Sequence, residues 1–158
     1  MGLLVVDNQF LSVARSLIEQ AKKEICISSF KLEINDKPRG RKLKEFFESL
    51  IERRKAGVKV KVLFNWHDDR RSVAKTNYYA SMFLKNAGVD ARYLDSNRCC
   101  HAKILIIDQD KALLGSHNLS IRSCENNFEM SYLIPDPETI THLYSVFSHS
   151  FNNAKEIK

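Results

Sequence analysis

Two apolar rhythms alternate along the first two thirds of this 158-residue chain, and the alternation limits the possible folds more than any other feature. Helical spacing is present at Phe10, Val13, Ala14, Leu17, Ile18 and Ala21. It returns at Leu43, Phe46, Phe47, Leu50 and Ile51, and at Tyr79, Ala80, Phe83, Leu84 and Ala87. Gly57 and Gly88 stand where the second and third of these helices should stop. The segments 24–30, 58–64 and 89–94 have the length and composition of strands. A last helix is predicted on Ile140, Leu143, Tyr144, Phe147 and Phe151, opened by Pro135-Asp136-Pro137. Strands alternating with helices predict an α/β fold: one domain over residues 1–158, with a mixed, mostly parallel sheet and helices on both faces.

Between the third strand and the last helix lies a stretch of another kind. Ile104-Leu105-Ile106-Ile107, bounded by polar residues, reads as a buried strand. Side chains alternate along a strand, so His101 and Lys103 point the same way. Asp108-Gln109-Asp110 is turn-like, and Lys111 to Leu114 reads as a second short strand. Gly115 permits a bend or a close approach of the backbone. Ser116 and Asn118 share a face if the chain stays extended. An imidazole, an ammonium, a hydroxyl and a carboxamide thus collect at the ends of two neighbouring strands. The imidazole can be a nucleophile or a proton carrier, and the other three can hold the oxygens of a phosphate.

The spacing H-x-K-x4-D-x6-G-S-x-N is filled by His101, Lys103, Asp108, Gly115, Ser116 and Asn118. This resembles the HKD motif of the phospholipase D superfamily, without a gap. The resemblance would cover nearly the whole chain. It implies the same layered sheet and a phosphodiester-cleaving site built on His101, Lys103, Ser116 and Asn118. It also implies a glutamate on the following strand, where this chain has Glu129. Asp108 ends the strand and is expected to cap the turn rather than touch substrate.

A phosphodiester repels nucleophiles, so the site must neutralise the non-bridging oxygens, attack phosphorus and protonate the leaving group. Lys103 supplies charge, and Asn118 and Ser116 supply donors. His101 attacks if its ring is neutral and held in one tautomer. Glu129 is the expected partner of the other ring nitrogen, with Glu125 as the alternative. The family draws its second acid from another copy of the motif, and this chain has one copy; His67, His142 and His149 lie in no similar pattern, and His117 alternates away from the site. A homodimer that faces two motifs across a twofold axis is therefore expected. No metal or other cofactor is expected, since Lys103 and its counterpart neutralise the phosphate and no acidic cluster suited to metals is apparent.

The charge is uneven. Residues 1–98 carry 20 basic against 12 acidic side chains, and residues 99–158 carry 5 against 7. A basic first half suits nucleic acid or an anionic surface. Lys31, Arg39 and Arg41 in the polar loop before the second helix, with Trp66, Arg70 and Arg71 in the loop after the second strand, are the expected substrate contacts. Trp66 and Phe30 could stack on bases, or simply pack. The leading expectation is a nuclease acting on DNA or RNA with little base preference. The alternatives are a phospholipase D-type hydrolase of anionic phospholipids and a non-catalytic nucleic-acid-binding module of a larger protein. No apolar patch or anchor for a membrane is evident in the sequence, so stable membrane association is not expected. Cys26, Cys99, Cys100 and Cys124 form no C-x-x-C pair and read as reduced thiols. Leu3-Leu4-Val5-Val6 is too short for a signal peptide, which leads to the expectation of a cytoplasmic protein or a domain of a longer one.

Overall fold

The computed structural model describes residues 1–66, 71–94 and 97–158, with Arg71 described by its backbone alone. Among these the elements run β1 (Leu3–Val6), α1 (Gln9–Glu19), β2 (Glu24–Ser29), a 3-10 turn (Pro38–Gly40), α2 (Arg41–Lys55), β3 (Lys59–Phe64), α3 (Arg71–Asn86) and β4 (Asp90–Tyr93). There follow β5 (Lys103–Ile107), β6 (Lys111–Gly115), α4 (Ile121–Glu125), β7 (Met130–Ile134), α5 (Pro137–Asn152) and β8 (Lys155–Glu156). Helices α2 and α3 stop at glycines in the left-handed region, Gly57 at φ 95° and Gly88 at φ 83°. At the start of α5 the Asp136 carboxylate accepts from Thr139 N at 2.8 Å.

All strands form one sheet in the order β1-β7-β6-β5-β2-β3-β4-β8. Its edge strands are the short β1 and the two-residue β8. The α/β class and the mixed sheet are as expected, but the sheet is not mostly parallel. Parallel pairing is confined to β2–β3 and β3–β4, and the other five pairings are antiparallel. A parallel return needs a crossover of a dozen or more residues, usually a helix. Among the described residues no helix separates β4 from β5. The chain therefore re-enters the sheet from the edge it has just reached, and β5 lies antiparallel beside β2, with Ser28 opposite Ile104.

The two faces are covered unequally. Phe10, Leu11, Ala14, Leu17 and Ile18 of α1, Leu43, Phe46, Phe47 and Leu50 of α2, and Ala80 and Leu84 of α3 pack on Ile25, Ile27, Val60, Val62, Leu105 and Leu113. On the other face Ile140, Phe147 and Phe151 of α5 pack on Cys26, Leu63, Ile106, Ala112 and Ile134. One helix cannot cover eight strands. Beyond α5, Leu114 of β6, Tyr132 of β7 and Leu4 of β1 stand in register and exposed. Met130 and Phe128 extend this strip, Phe128 at 79% exposure. The chain thus carries an exposed apolar patch that the sequence did not reveal, because its members meet only through the pairing of distant strands. No helix among the described residues is long and apolar enough to cross a membrane.

Asp108 has a structural role, though not the expected one. At φ 53° it makes the turn after β5, and its carboxylate accepts from the backbone N–H groups of Lys22, Lys23 and Glu24, each at 2.8 Å. It therefore clamps the link between α1 and β2 rather than capping its own turn. Burial alone would raise its pKa, but the three backbone donors outweigh burial and hold the carboxyl below its ordinary 3.8. A folded-state pKa below the unfolded one stabilises fully above about pH 4, and the gain is lost as pH falls through the folded value. We expect Asp108→Ala to cost about 2 kcal/mol at pH 7, with a much smaller difference from wild type near pH 2, as read from urea melts at both values. Equal midpoints at pH 7 would show that water replaces the clamp.

Candidate active site

The parallel strands β2, β3 and β4 end at one edge of the sheet, and antiparallel β5 begins there. His101 lies two residues before β5, exposed, and Lys103 is the first residue of that strand. The Lys103 Nζ lies 2.9 Å from His101 Nδ1 and 3.3 Å from Nε2, and donates to the His101 carbonyl at 2.6 Å. An ammonium only donates, so a neutral imidazole, the nucleophilic form, can accept from it through whichever ring nitrogen carries the lone pair. Phe30 backs both groups. Its ring is 5.1 Å from the imidazole, tilted by 48°, and 5.9 Å from Lys103 Nζ. Burial lowers the Lys103 pKa.

The backbone around His101 is fixed on both sides. Ser28 Oγ donates to the Ala102 carbonyl at 2.9 Å and sits 3.4 Å from Cys100 Sγ, while Cys100 N donates to Asn65 Oδ1 at 2.9 Å. Burial raises the Cys100 pKa. Asn77, fully buried on α3, ties the two strand ends beside the site. Its Nδ2 donates to the carbonyls of Phe30 and Asn65 at 2.9 and 2.7 Å, and its Oδ1 accepts from Leu32 N at 2.8 Å. The sequence reading passed over Ser28, Asn65 and Asn77. A buried clamp within a polar stretch has no periodic signature; it is recognised only when its partners are in place.

Asn118 and Ser116 come to the same edge from β6, since Gly115 pairs with Lys103. Asn118 Oδ1 accepts from Lys31 N at 3.3 Å, which leaves its NH2 as the donating end. Ser116 Oγ accepts from Met130 N at 3.1 Å and donates to Glu129 Oε2. Glu129 precedes β7. Its Oε1 accepts from Ser123 Oγ at 2.9 Å and Asn127 Nδ2 at 3.0 Å. Burial alone would raise the Glu129 pKa, but the bonds from Ser116, Asn127 and Ser123 hold the carboxyl below its ordinary range. Within one chain, then, Glu129 orients Ser116 and not the ring of His101, because α4 inserts Ser123 beside it. Glu125, the alternative, faces Lys42 at 3.9 Å.

His117 is a core residue, 2% exposed. It stacks on Phe10 at 4.4 Å and bonds Ser131 Oγ at 2.8 Å and the Asp7 carbonyl at 2.9 Å. Burial lowers its pKa, and its side chain is directed away from the site as the alternation requires.

Lys31, Arg39, Arg41 and Trp66 all lie at this edge, following β2 or β3. Arg39 is exposed on the 3-10 turn. Arg41 is not in a loop but opens α2, where its Nε is 3.6 Å from Glu45. Lys31 Nζ is 3.8 Å from Glu33. Arg71 likewise opens α3, which starts two turns earlier than its apolar spacing shows. The side chain of Arg71, together with His67 and Arg70, lies outside the described residues. Among the described residues no group of three or more His, Cys, Asp or Glu side chains could hold a metal ion.

The model of the family described as "Cardiolipin synthase, PLD-like domain" matches residues 14–151. The cardiolipin synthase of Halalkalibacterium halodurans is 28% identical over 145 residues, which are 90% of this chain and 27% of that one. Cardiolipin synthase 2 of Bacillus cereus is 33% identical over 104 residues, 65% of this chain and 20% of its own length. The chain therefore spans about a fifth to a quarter of the length of these relatives. Among solved structures, the phospholipase D family member Nuc from Salmonella typhimurium superposes with a TM-score of 0.79 at 21% identity, covering 100% of this chain and 99% of that one. The match over most of the chain, on a fold of the same topology and with the motif side chains gathered at one edge, places this protein in the PLD-like domain family of the phospholipase D superfamily.

Proposed function

We propose that this protein is a phosphodiesterase that cleaves nucleic-acid backbones through a phosphohistidine on His101, in a site completed by a second copy of the chain. The observation that carries the reading is the pairing of Lys103 Nζ with the His101 ring at 2.9 Å, beside the amide of Asn118 and on a basic, aromatic edge. His101 attacks phosphorus as the bond to the leaving oxygen breaks, and His101 of the second copy gives that oxygen its proton. Water then attacks phosphorus, the P–N bond breaks, and the second histidine takes the proton from the water. Lys103 and Asn118 neutralise the non-bridging oxygens throughout.

Two features favour nucleic acid. Arg41, Lys42 and Lys44 occupy the first turn of α2, where the helix dipole opposes positive charge and a phosphate chain would relieve it. A protein of like fold at a TM-score of 0.64, TrmBL2, is an archaeal chromatin protein with a novel mode of DNA binding. The exposed strip of Leu4, Leu114, Phe128, Met130 and Tyr132 runs beside Ser116 and Glu129 and supplies a surface for the second copy. A phospholipid substrate is the second reading, favoured by the cardiolipin synthase relatives and by this same strip.

Labelled single-stranded DNA, duplex DNA, RNA and cardiolipin vesicles, offered separately in EDTA, decide between these. Nucleic-acid cleavage is expected, and cleavage of lipid alone would overturn the reading. Mixing subunits tests the shared site. With wild-type and His101→Ala chains co-refolded one to one, random pairing leaves about a quarter of full activity if both histidines of a pair are needed. Independent sites would leave about half.

A further inference from the structure

Trp66, the single tryptophan of the chain, follows β3 on the same sheet edge as His101. Its ring lies 5.3 Å from that of Tyr93, tilted by 32°, and 6.2 Å from that of Tyr78. The three rings, Lys85 and the segment from Lys155 to Lys158 line a groove of about 680 Å³. Ligand sites commonly occupy about 300–1,000 Å³. Lys155 and Lys158 are exposed, and Lys85 donates to the Ile157 carbonyl, which holds the basic wall against α3. The one acidic side chain among the described lining residues, Glu156, stands opposite Arg92 in the β4–β8 ladder.

We propose that this groove is a stacking subsite for unpaired bases of the substrate strand, an inference that rests on the nuclease reading above. Every base has an apolar face that stacks on aromatic rings, and cations beside the rings meet the phosphates between bases. In a duplex those faces are covered by neighbouring pairs, so the groove selects single-stranded or locally opened nucleic acid. The position suits the chemistry. The motif strand β5 and the groove strand β4 are separated by β2 and β3; three strand spacings of about 4.8 Å put the subsite about 14 Å from the motif. A strand bound there passes across the basic residues near Phe30 and Lys31 before it reaches His101, a span of a few nucleotides.

The lone tryptophan makes the test direct. The full chain carrying His101→Ala, which does not consume its ligand, is titrated with oligothymidylate and with a duplex of equal length. Oligothymidylate should quench the Trp66 emission saturably, and the duplex should leave it nearly unchanged. By anisotropy of the labelled oligonucleotide, Trp66→Leu in the same background should raise its Kd roughly fivefold to a hundredfold. The quenching measurement needs no substitution at Trp66, so it stands even if that variant folds poorly. Tight binding of oligothymidylate without quenching, with an unchanged Kd in a folded Trp66→Leu variant, would overturn the subsite and leave the nuclease reading intact. If no nucleic acid is bound or cleaved by any form of the protein, the nuclease reading fails first and the subsite with it.

Discussion

Replacing His101 by alanine should lower phosphodiester turnover by about 10⁴-fold or more, because the proposed mechanism makes the residue both nucleophile and, in its counterpart, acid. The fold should survive. His101 is exposed and lies outside β5, and the backbone on either side of it is held by Ser28 and Asn65. Thermal melts of the variant should therefore match wild type while activity vanishes. Quenching wild-type turnover should trap phosphate on a residue that releases it in acid and retains it in base, as a phosphoramidate does. Lys103→Met should fall less, by about 10²–10³-fold, since it removes charge stabilisation without removing the nucleophile. The lowered Lys103 pKa predicts that activity falls on the alkaline side below the 10.5 of an ordinary lysine, as the ammonium there loses its proton. Phosphate trapped on Ser116, or a His101→Ala chain retaining a tenth of the activity, would refute the assignment.

Gly115→Val should be the most damaging change that touches no reacting atom. A β-carbon built on Gly115 would lie 2.3 Å from the Met130 carbonyl oxygen, 2.3 Å from Ser131 Oγ and 2.4 Å from Ser131 Cα. Two of these three atoms are fixed, one in the backbone of the paired strand and one at its α-carbon. The third is also held, because Ser131 Oγ bonds the buried His117 at 2.8 Å. The strands must part, and parting them breaks the 2.9 Å bond from Ser116 N to Met130 O and the 3.1 Å bond from Met130 N to Ser116 Oγ. Overpacking of this kind costs about 3 kcal/mol or more for valine and about 1–3 kcal/mol for alanine, which already carries the clashing atom. Chemical denaturation of the two variants measures the cost, and turnover should fall with it because Ser116 and Asn118 follow directly. A Gly115→Ala protein as stable and active as wild type would show that β6 and β7 have slack at this point.

What the sequence discloses, and what it conceals, follows from the range of each interaction. The faces of α1 and α2, the glycine stops and the run from Ile104 to Ile107 are local, and they stand where periodicity places them. On α3, Tyr79 and Phe83 are exposed, and the polar Asn77 and Ser81 are buried with Ala80 and Leu84 instead. Strand direction is not local. It depends on whether a connection is long enough to cross the sheet, and the link from β4 to β5 is not. Arg41 and Arg71 read as loop residues because the first turns of α2 and α3 are polar, yet both begin helices. The carboxylate of Asp108 reaches back to Lys22, and the apolar strip joins Leu4 to Tyr132 and Leu114. Neither can be seen until the register is known. Glu129 was legible as a residue of the site but not in its partner, since Ser123 belongs to a one-turn helix with no apolar rhythm.

The ends of the sheet carry a consequence for self-association. A long exposed edge strand is a template on which another chain can add strands without limit. Here one edge is the four-residue β1 and the other the two-residue β8, too short for a foreign strand to gain many hydrogen bonds. Growth by strand addition is blunted at both ends. The strip beside Ser116 is a face rather than an edge, and two such faces related by a twofold axis cover one another completely. An assembly built that way stops at two, so in the proposed dimer this apolar surface does not put the chain on a path to fibres.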